Sequence, residues 1–313
     1  MTYRKIIGTY ESSNGYSRIY YYEYIPAGEP VGVVQIAHGM CEYLERYQPF
    51  IEFLLSKNIA VVGNDHLGHG RTAAPDPNVS ENLGYMGAEG WKFMVEDMHR
   101  LLQQMHRKYA EVPYYLLGHS MGSFLTRAYI AKYGEELDGV IISGTAGSNP
   151  VYGEALRFVQ QLKKKYGSMY RSTQVHKLMF GLYNRRIKDP VNGFAWLSRD
   201  PEISRKFAED PYSRHIFTLD GFCILLAMLR YISSTECYRT SDPHIPMLVI
   251  SGAMDPVGDY GRGVREVGRR FRKEEWPDLT LKLYPEMRHE ILNEIGKEEV
   301  FEDIYNWLDG QEI

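Results

Sequence analysis

Apolar residues in this chain fall into short unbroken runs, separated by longer stretches where they recur every three or four positions. Val31–Ala37, Ile59–Gly63, Tyr114–Leu117 and Gly139–Gly144 are such runs. Their shortness predicts strands covered on both faces. Between them, Phe50, Ile51, Phe53, Leu54 and Leu55 give residues 47–56 one apolar face, and residues 90–109 are amphipathic over a longer span. Both predict helices packed on a core. A β-prone segment, Ser17–Tyr24, comes first and stops before Pro26. Repeated alternation of strand and helix predicts an α/β fold with a mostly parallel central sheet and helices on both faces.

The alternation stops after about Gly147. From Asn149 to Thr240 the chain offers helical stretches rich in Tyr, Phe, Met, Lys and Arg, with no comparable buried strand. It resumes with Pro246–Ser251, a helix, Leu279–Tyr284 and an amphipathic helix over 298–308. An all-helical insertion between two halves of one sheet predicts a cap. The expected division is a core of residues 1–147 and 241–313, with a helical cap over 148–240.

Composition narrows the class. Of 313 residues, 44% are hydrophobic and 24% charged, ordinary for a globular enzyme with a sizeable core. A net charge of −4 argues against nucleic acid as a partner. No uncharged run approaches the length that crosses a bilayer, and residues 1–5 lead into a strand-like segment rather than a secretory leader. Cys41, Cys223 and Cys237 are odd in number and far apart, so no disulfide framework is expected. A cytoplasmic location follows as the expectation.

The chemistry centres on Gly118-His119-Ser120-Met121-Gly122, which directly follows the run Tyr114–Leu117 and precedes the helix-like Ser123–Tyr129. Strand, tight turn and helix are the context of a nucleophile elbow. The turn strains the serine backbone, and glycine on both sides lets strand and helix pack closely. A serine hydroxyl needs a histidine base and a carboxylate that orients it, in the chain order serine, acid, histidine. Asp255 follows the run Met247–Ser251, and His289 follows Leu279–Tyr284. No other histidine lies beyond Asp255, while Asp259 is a rival acid in the same loop. Oxyanion donors are expected from the Met121 amide at the helix start and the Met40 amide after the early strand. His38, at that strand's end, is expected to brace the loop.

Five ordered motifs carry a resemblance: residues 38–47 (HGMCEYLERY), residues 65–72 (DHLGHGRT), the elbow, Asp255-Pro256-Val257 and His289-Glu290. Together they resemble the monoacylglycerol lipase/lysophospholipase branch of the α/β-hydrolases, grouped with the serine aminopeptidases. Tyr43 stands where many members have histidine. The resemblance implies an α/β-hydrolase fold, a Ser-Asp-His triad, a helical cap and hydrolysis of carboxylic esters of glycerol or lysophospholipids.

Other features read as structure. His66 and His69 have no third ligand nearby, so a loop beside the site is expected and no metal. Residues 261–268 lack the third glycine and the preceding strand of a dinucleotide loop. Lys163–Lys165 and Arg185-Arg186, near Leu178, Met179, Phe180 and Leu182, would suit transient contact of the cap with a membrane surface, although a solvated helix face is the weightier reading. The expected activity is a two-step acyl-enzyme hydrolysis of a small-molecule or lipid ester by Ser120, His289 and Asp255. It needs no organic cofactor, and short-to-medium acyl chains are the first expectation. Two rivals remain: a peptidase or amidase of the same superfamily, with Glu154 or Asp200 as the anchor for an amine, and a ligand-binding protein without turnover.

Overall fold

The computed structural model describes residues 2–76 and 81–311; residues 1, 77–80, 312 and 313 of the expected core lie outside them. Eight strands form one sheet: β1 (Arg4–Glu11), β2 (Arg18–Ile25), β3 (Gly32–Ala37), β4 (Ile59–Asn64), β5 (Tyr114–His119), β6 (Gly139–Ser143), β7 (Met247–Gly252) and β8 (Leu279–Tyr284). Their order across the sheet is β1-β2-β4-β3-β5-β6-β7-β8. The runs read as doubly covered strands, β3 to β7, are buried at every residue. From β4 to β8 all neighbours are parallel, whereas β1 pairs antiparallel with β2 and β2 with β4. The antiparallel edge suits its sequence. β1 alternates exposed and half-buried residues, as a strand with one wet face does.

Helices cover both faces. The core helices are α1 (Gln48–Ser56), the one-turn α2 (Gly70–Ala73), α3 (Gly90–His106) and α4 (Met121–Tyr133). Between β6 and β7 come α5 (Tyr152–Tyr166), α6 (Thr173–Phe180), α7 (Pro201–Glu209), α8 (Leu219–Ile232) and α9 (Thr235–Thr240), with no strand among the described residues. The chain finishes with α10 (Arg262–Lys273) and α11 (Lys297–Asp309). Phe50, Ile51 and Leu54 of α1 pack with Phe301, Ile304 and Leu308 of α11 on one face. Met94, Met98 and Leu101 of α3, Leu125 and Tyr129 of α4, and Val264, Val267 and Phe271 of α10 pack on the other.

The inserted helices are joined firmly to this body. α8 lies against α5 on one side and α4 on the other, and α9 also meets α4. Arg127 of α4, fully buried, ties them together. Its Nη1 donates to the Ala146 carbonyl (2.9 Å), and its Nη2 donates to the Ile232 carbonyl at the end of α8 (2.7 Å) and to the Tyr238 hydroxyl of α9 (2.6 Å). Its charge faces the carbonyl end of α8, where the helix dipole favours a cation. The helix expected over residues 90–109 ends at His106, and α2 escapes a periodicity reading because four residues carry no period.

Candidate active site

β5 ends at His119, and the chain turns so sharply at Ser120 that its φ is +53° and ψ −119°. Such a backbone is costly for a side chain with a Cβ and persists only where its surroundings impose it. They do so here. The Ser120 amide donates to the Ser143 carbonyl of β6, and the Ser120 carbonyl accepts from the Ser123 amide, all within 2.9 Å. A Cβ on Gly122 would collide with the Ala37 carbonyl, and one on Gly118 with Thr126 and the Gly122 carbonyl. The two glycines therefore let α4 start directly against β3 and β5.

His289, on the loop after β8, donates from Nδ1 to Oδ2 of Asp255 at 2.9 Å, on the loop after β7. Asp255 is fully buried. It also accepts from Ser251 Oγ (3.2 Å) and the Val257 amide (2.8 Å). Burial presses the His289 pKa down, but the charge and hydrogen bond of Asp255 outweigh it, helped by Glu290 and Glu42, so it lies above the usual histidine value. Asp259 lines the same cavity but has no hydrogen bond to His289 among the described residues, and is bound instead to the exposed Arg262. His119, whose ring centre is 4.7 Å from that of His289, is held well below the ordinary range by burial, then by His289 and Arg46. It remains an uncharged neighbour.

The loop after β3 is braced from two sides. His38 accepts the His66 amide at Nε2 (3.0 Å), so its proton sits on Nδ1 and is given to the Gly39 carbonyl (2.9 Å). Glu42 Oε1 accepts from the Gly39 amide and the Tyr47 hydroxyl, while Oε2 accepts from Arg46 (3.1 Å). Arg46 also forks onto both oxygens of Glu290, each at 2.9 Å. One buried cation thus joins the loop carrying Met40 to the residue after His289. Burial, and then Glu290, push the Glu42 carboxyl up, although Arg46 opposes them. The amides of Met40 and Met121 donate to no protein acceptor among the described residues, and both residues line the same cavity as Ser120 and His289.

That cavity has a volume of about 930 Å³. Phe124 comes from α4, Phe180 from α6, Leu225, Leu226 and Leu229 from α8, and Trp196 from the segment before α7. The same segment reaches the histidine loop: the His289 and Glu290 amides donate to the carbonyls of Trp196 (3.3 Å) and Leu197 (2.7 Å). The carboxylates proposed as amine anchors lie away from the cavity. Glu154 is exposed and paired with Arg157, and Asp200 caps α7 by accepting from the Glu202 amide. His66 and His69 are buried against His38, with ring centres 4.2 and 5.3 Å from it. Among the described residues no group of three or more ligating side chains is placed to hold a metal ion.

Sequence reading missed the bracing network. Glu42 and Arg46, four apart, were visible as a pair in the 38–47 motif, but nothing in sequence brings Glu290 to them.

A family model described as serine aminopeptidase, S33, matches residues 28–296. The chain belongs to this family. It is 28% identical over 296 residues to the monoacylglycerol lipase of Mycolicibacterium smegmatis, covering 93% of this chain and 92% of that one. It is 29% identical over 286 residues to the phospholipase YtpA of Bacillus subtilis, covering 88% and 94%. Among solved structures, a thermostable carboxyl esterase from Bacillus coagulans in complex with glycerol superposes with a TM-score of 0.91 at 31% identity, each chain covered in full. The fold is that of the α/β-hydrolases, as its motifs implied. Among the described residues no helix is long and apolar enough to cross a membrane.

Proposed function

We propose that this protein is a serine hydrolase that cuts carboxylic esters of apolar acyl chains, of the monoacylglycerol or lysophospholipid kind. The observation that carries the reading is a buried His289–Asp255 pair opening on an apolar cavity that Ser120 also lines. In this reading His289 takes the proton from Ser120 as its oxygen attacks the ester carbonyl, and Asp255 stabilises the imidazolium that results. The Met40 and Met121 amides receive the oxyanion. His289 then protonates the departing alcohol and later activates the water that frees the acid. The names of the relatives, a monoacylglycerol lipase, a phospholipase and a carboxyl esterase, support ester hydrolysis.

The lining favours an ester over a peptide with a free amine. An amine would need an unpaired carboxylate, yet those lining the cavity are engaged: Glu42 and Glu290 with Arg46, Asp259 with Arg262, and Glu266 with the Ser148 amide at 3.0 Å. Each methylene buried against the leucines and phenylalanines contributes about 0.8 kcal/mol. Leu178 and Val151 line the cavity and are also exposed, so its rim is apolar and suits a lipid surface. Three buried free cysteines suit a reducing compartment, and we place the protein in the cytoplasm.

The test compares wild type with Ser120→Ala on p-nitrophenyl esters of graded length, monoacylglycerols, lysophospholipids and aminoacyl amides. Ester turnover and fluorophosphonate labelling should both vanish in the variant while its circular dichroism is kept. Labelling that survives, or turnover of the amides alone, would overturn the proposal.

A further inference from the structure

Behind the His289–Asp255 pair lies a second cavity, of about 320 Å³. Met254 and Arg288, the residues before Asp255 and His289, both line it, together with Arg186, Arg199, Tyr183 and Tyr260. Tyr183 lines the larger cavity as well, so the two share a wall. The Tyr183 ring meets Trp196 edge-on at 4.9 Å, and Trp196 lies 5.0 Å from His289.

The charges around this cavity do not cancel. Arg199 is paired with Glu294 (3.1 Å) and with Glu286 (3.3 Å), which also lines the cavity. Glu294 is saturated, accepting from Arg199 Nε and from the amides of Arg199, Arg288 and Ile295. Glu286 is largely exposed, so its pair is weak and easily opened. Arg288 and Arg186 have no carboxylate partner among the described residues. Arg288 spends Nη1 on the Ala195 (2.6 Å) and Ser198 (2.9 Å) carbonyls and leaves Nε and Nη2 unused. Arg186 lies over the Tyr260 ring, its guanidinium carbon 3.6 Å from the ring centre, and its nitrogens donate to no protein group among the described residues. The Tyr260 hydroxyl is buried and has no partner among the described residues. An unpaired buried hydroxyl is costly without a partner, while Arg186, which is exposed, and the partly buried Arg199 and Arg288 gather positive charge around it where an anion can reach them.

We propose that this second cavity is an anion site that takes a phosphate group. Donors on several side chains suit a tetrahedral oxyanion, whose acceptors point in several directions, better than a flat carboxylate. Arginine forks supply charge-assisted hydrogen bonds to such a group. The volume leaves space for a glycerol-sized residue on the phosphate. The site has two sources of ligand: the phosphorylated head group of an ester substrate, which rests on the function proposed above, or a free phosphate compound, which does not.

Binding is measured without turnover, in Ser120→Ala protein titrated calorimetrically with inorganic phosphate and with glycerol 3-phosphate at fixed ionic strength. Glycerol 3-phosphate should bind, and adding Arg186→Gln should weaken it about tenfold, the scale of a hydrogen bond to a charged group, with Arg186→Lys between the two. In the Ser120 enzyme, the ratio of kcat/KM for 1-acylglycerol 3-phosphate over 1-acylglycerol should fall about tenfold with Arg186→Gln if the head group is the ligand. Phosphate binding with an unmoved ratio assigns the site to a free anion. No binding of either probe at millimolar concentration, or binding that Arg186→Gln leaves intact, overturns the proposal. If neither ester is cut while glycerol 3-phosphate still binds, the ester reading fails and the anion site stands.

Discussion

At Ser120 a strained backbone, two bare neighbours and a buried imidazole meet within one turn of chain, so single atoms there have large effects. Asp255→Asn keeps the shape of the His289 contact but removes its charge and favours the wrong tautomer. It should lower kcat by about four decades, whereas Asp259→Asn, at a carboxylate bound to an exposed arginine, should cost little. Steady-state kinetics of the two variants on one p-nitrophenyl ester decides between the acids. The raised His289 pKa sets the pH dependence. In the proposed mechanism His289 acts as base only when neutral, so kcat/KM should rise with pH through a midpoint above 6.5, and Asp255→Asn should move that midpoint down. A wild-type midpoint below 6.5 would contradict the assignment. That Ser120, Asp255 and His289 each come just past a strand was legible, because the apolar runs before them are recognisable. Glu290 and Arg186 were not, because their partners come from segments that only folding brings near.

At the scale of elements, the approach of α4 to β3 admits no side chain at its first turn. Gly122→Ala would drive a methyl group into the Ala37 carbonyl, and overpacking of this kind costs about 3 kcal/mol. Urea denaturation should show the loss as a lower midpoint at unchanged slope. On α8 the effect runs the other way, because Leu226 lines the cavity. Leu226→Ala should lengthen the preferred acyl chain, with about a tenfold gain in kcat/KM for the longer ester relative to the shorter. An unchanged chain-length profile in the folded variant would show that α8 does not choose the substrate. Strands β3 to β7 could be read directly from sequence, since a strand covered on both faces leaves an unbroken apolar run. The pairing of the edge strands could not, because alternation shows one wet face and says nothing of direction.

For the whole molecule, the exposed apolar rim of the cavity bears on where substrate enters. Leu178 and Leu182 are each 68% exposed on the segment around α6, beside the cavity rim. If the rim meets lipid, Leu178→Ser with Leu182→Ser should reduce co-sedimentation with phosphatidylcholine vesicles and lower turnover of dispersed long-chain esters, while leaving a soluble short-chain ester unaffected. The insertion was foreseeable from the point where strand alternation stops, but its seating on α4 through Arg127 was not, since a buried arginine in a helix looks like a solvated one. Its place between neighbouring parallel strands also bears on how the protein is made. A crossover from β6 to β7 needs about a dozen residues, and here 103 separate Ser143 from Met247. Closing the longer loop costs about 2 kcal/mol more. Between Ser120 and His289 the ribosome adds 169 residues, on the order of 10–30 s of synthesis at about 5–20 residues per second. In the proposed mechanism the nascent chain holds, through that interval, a nucleophile with no base, and ester hydrolysis begins only when its last strands dock.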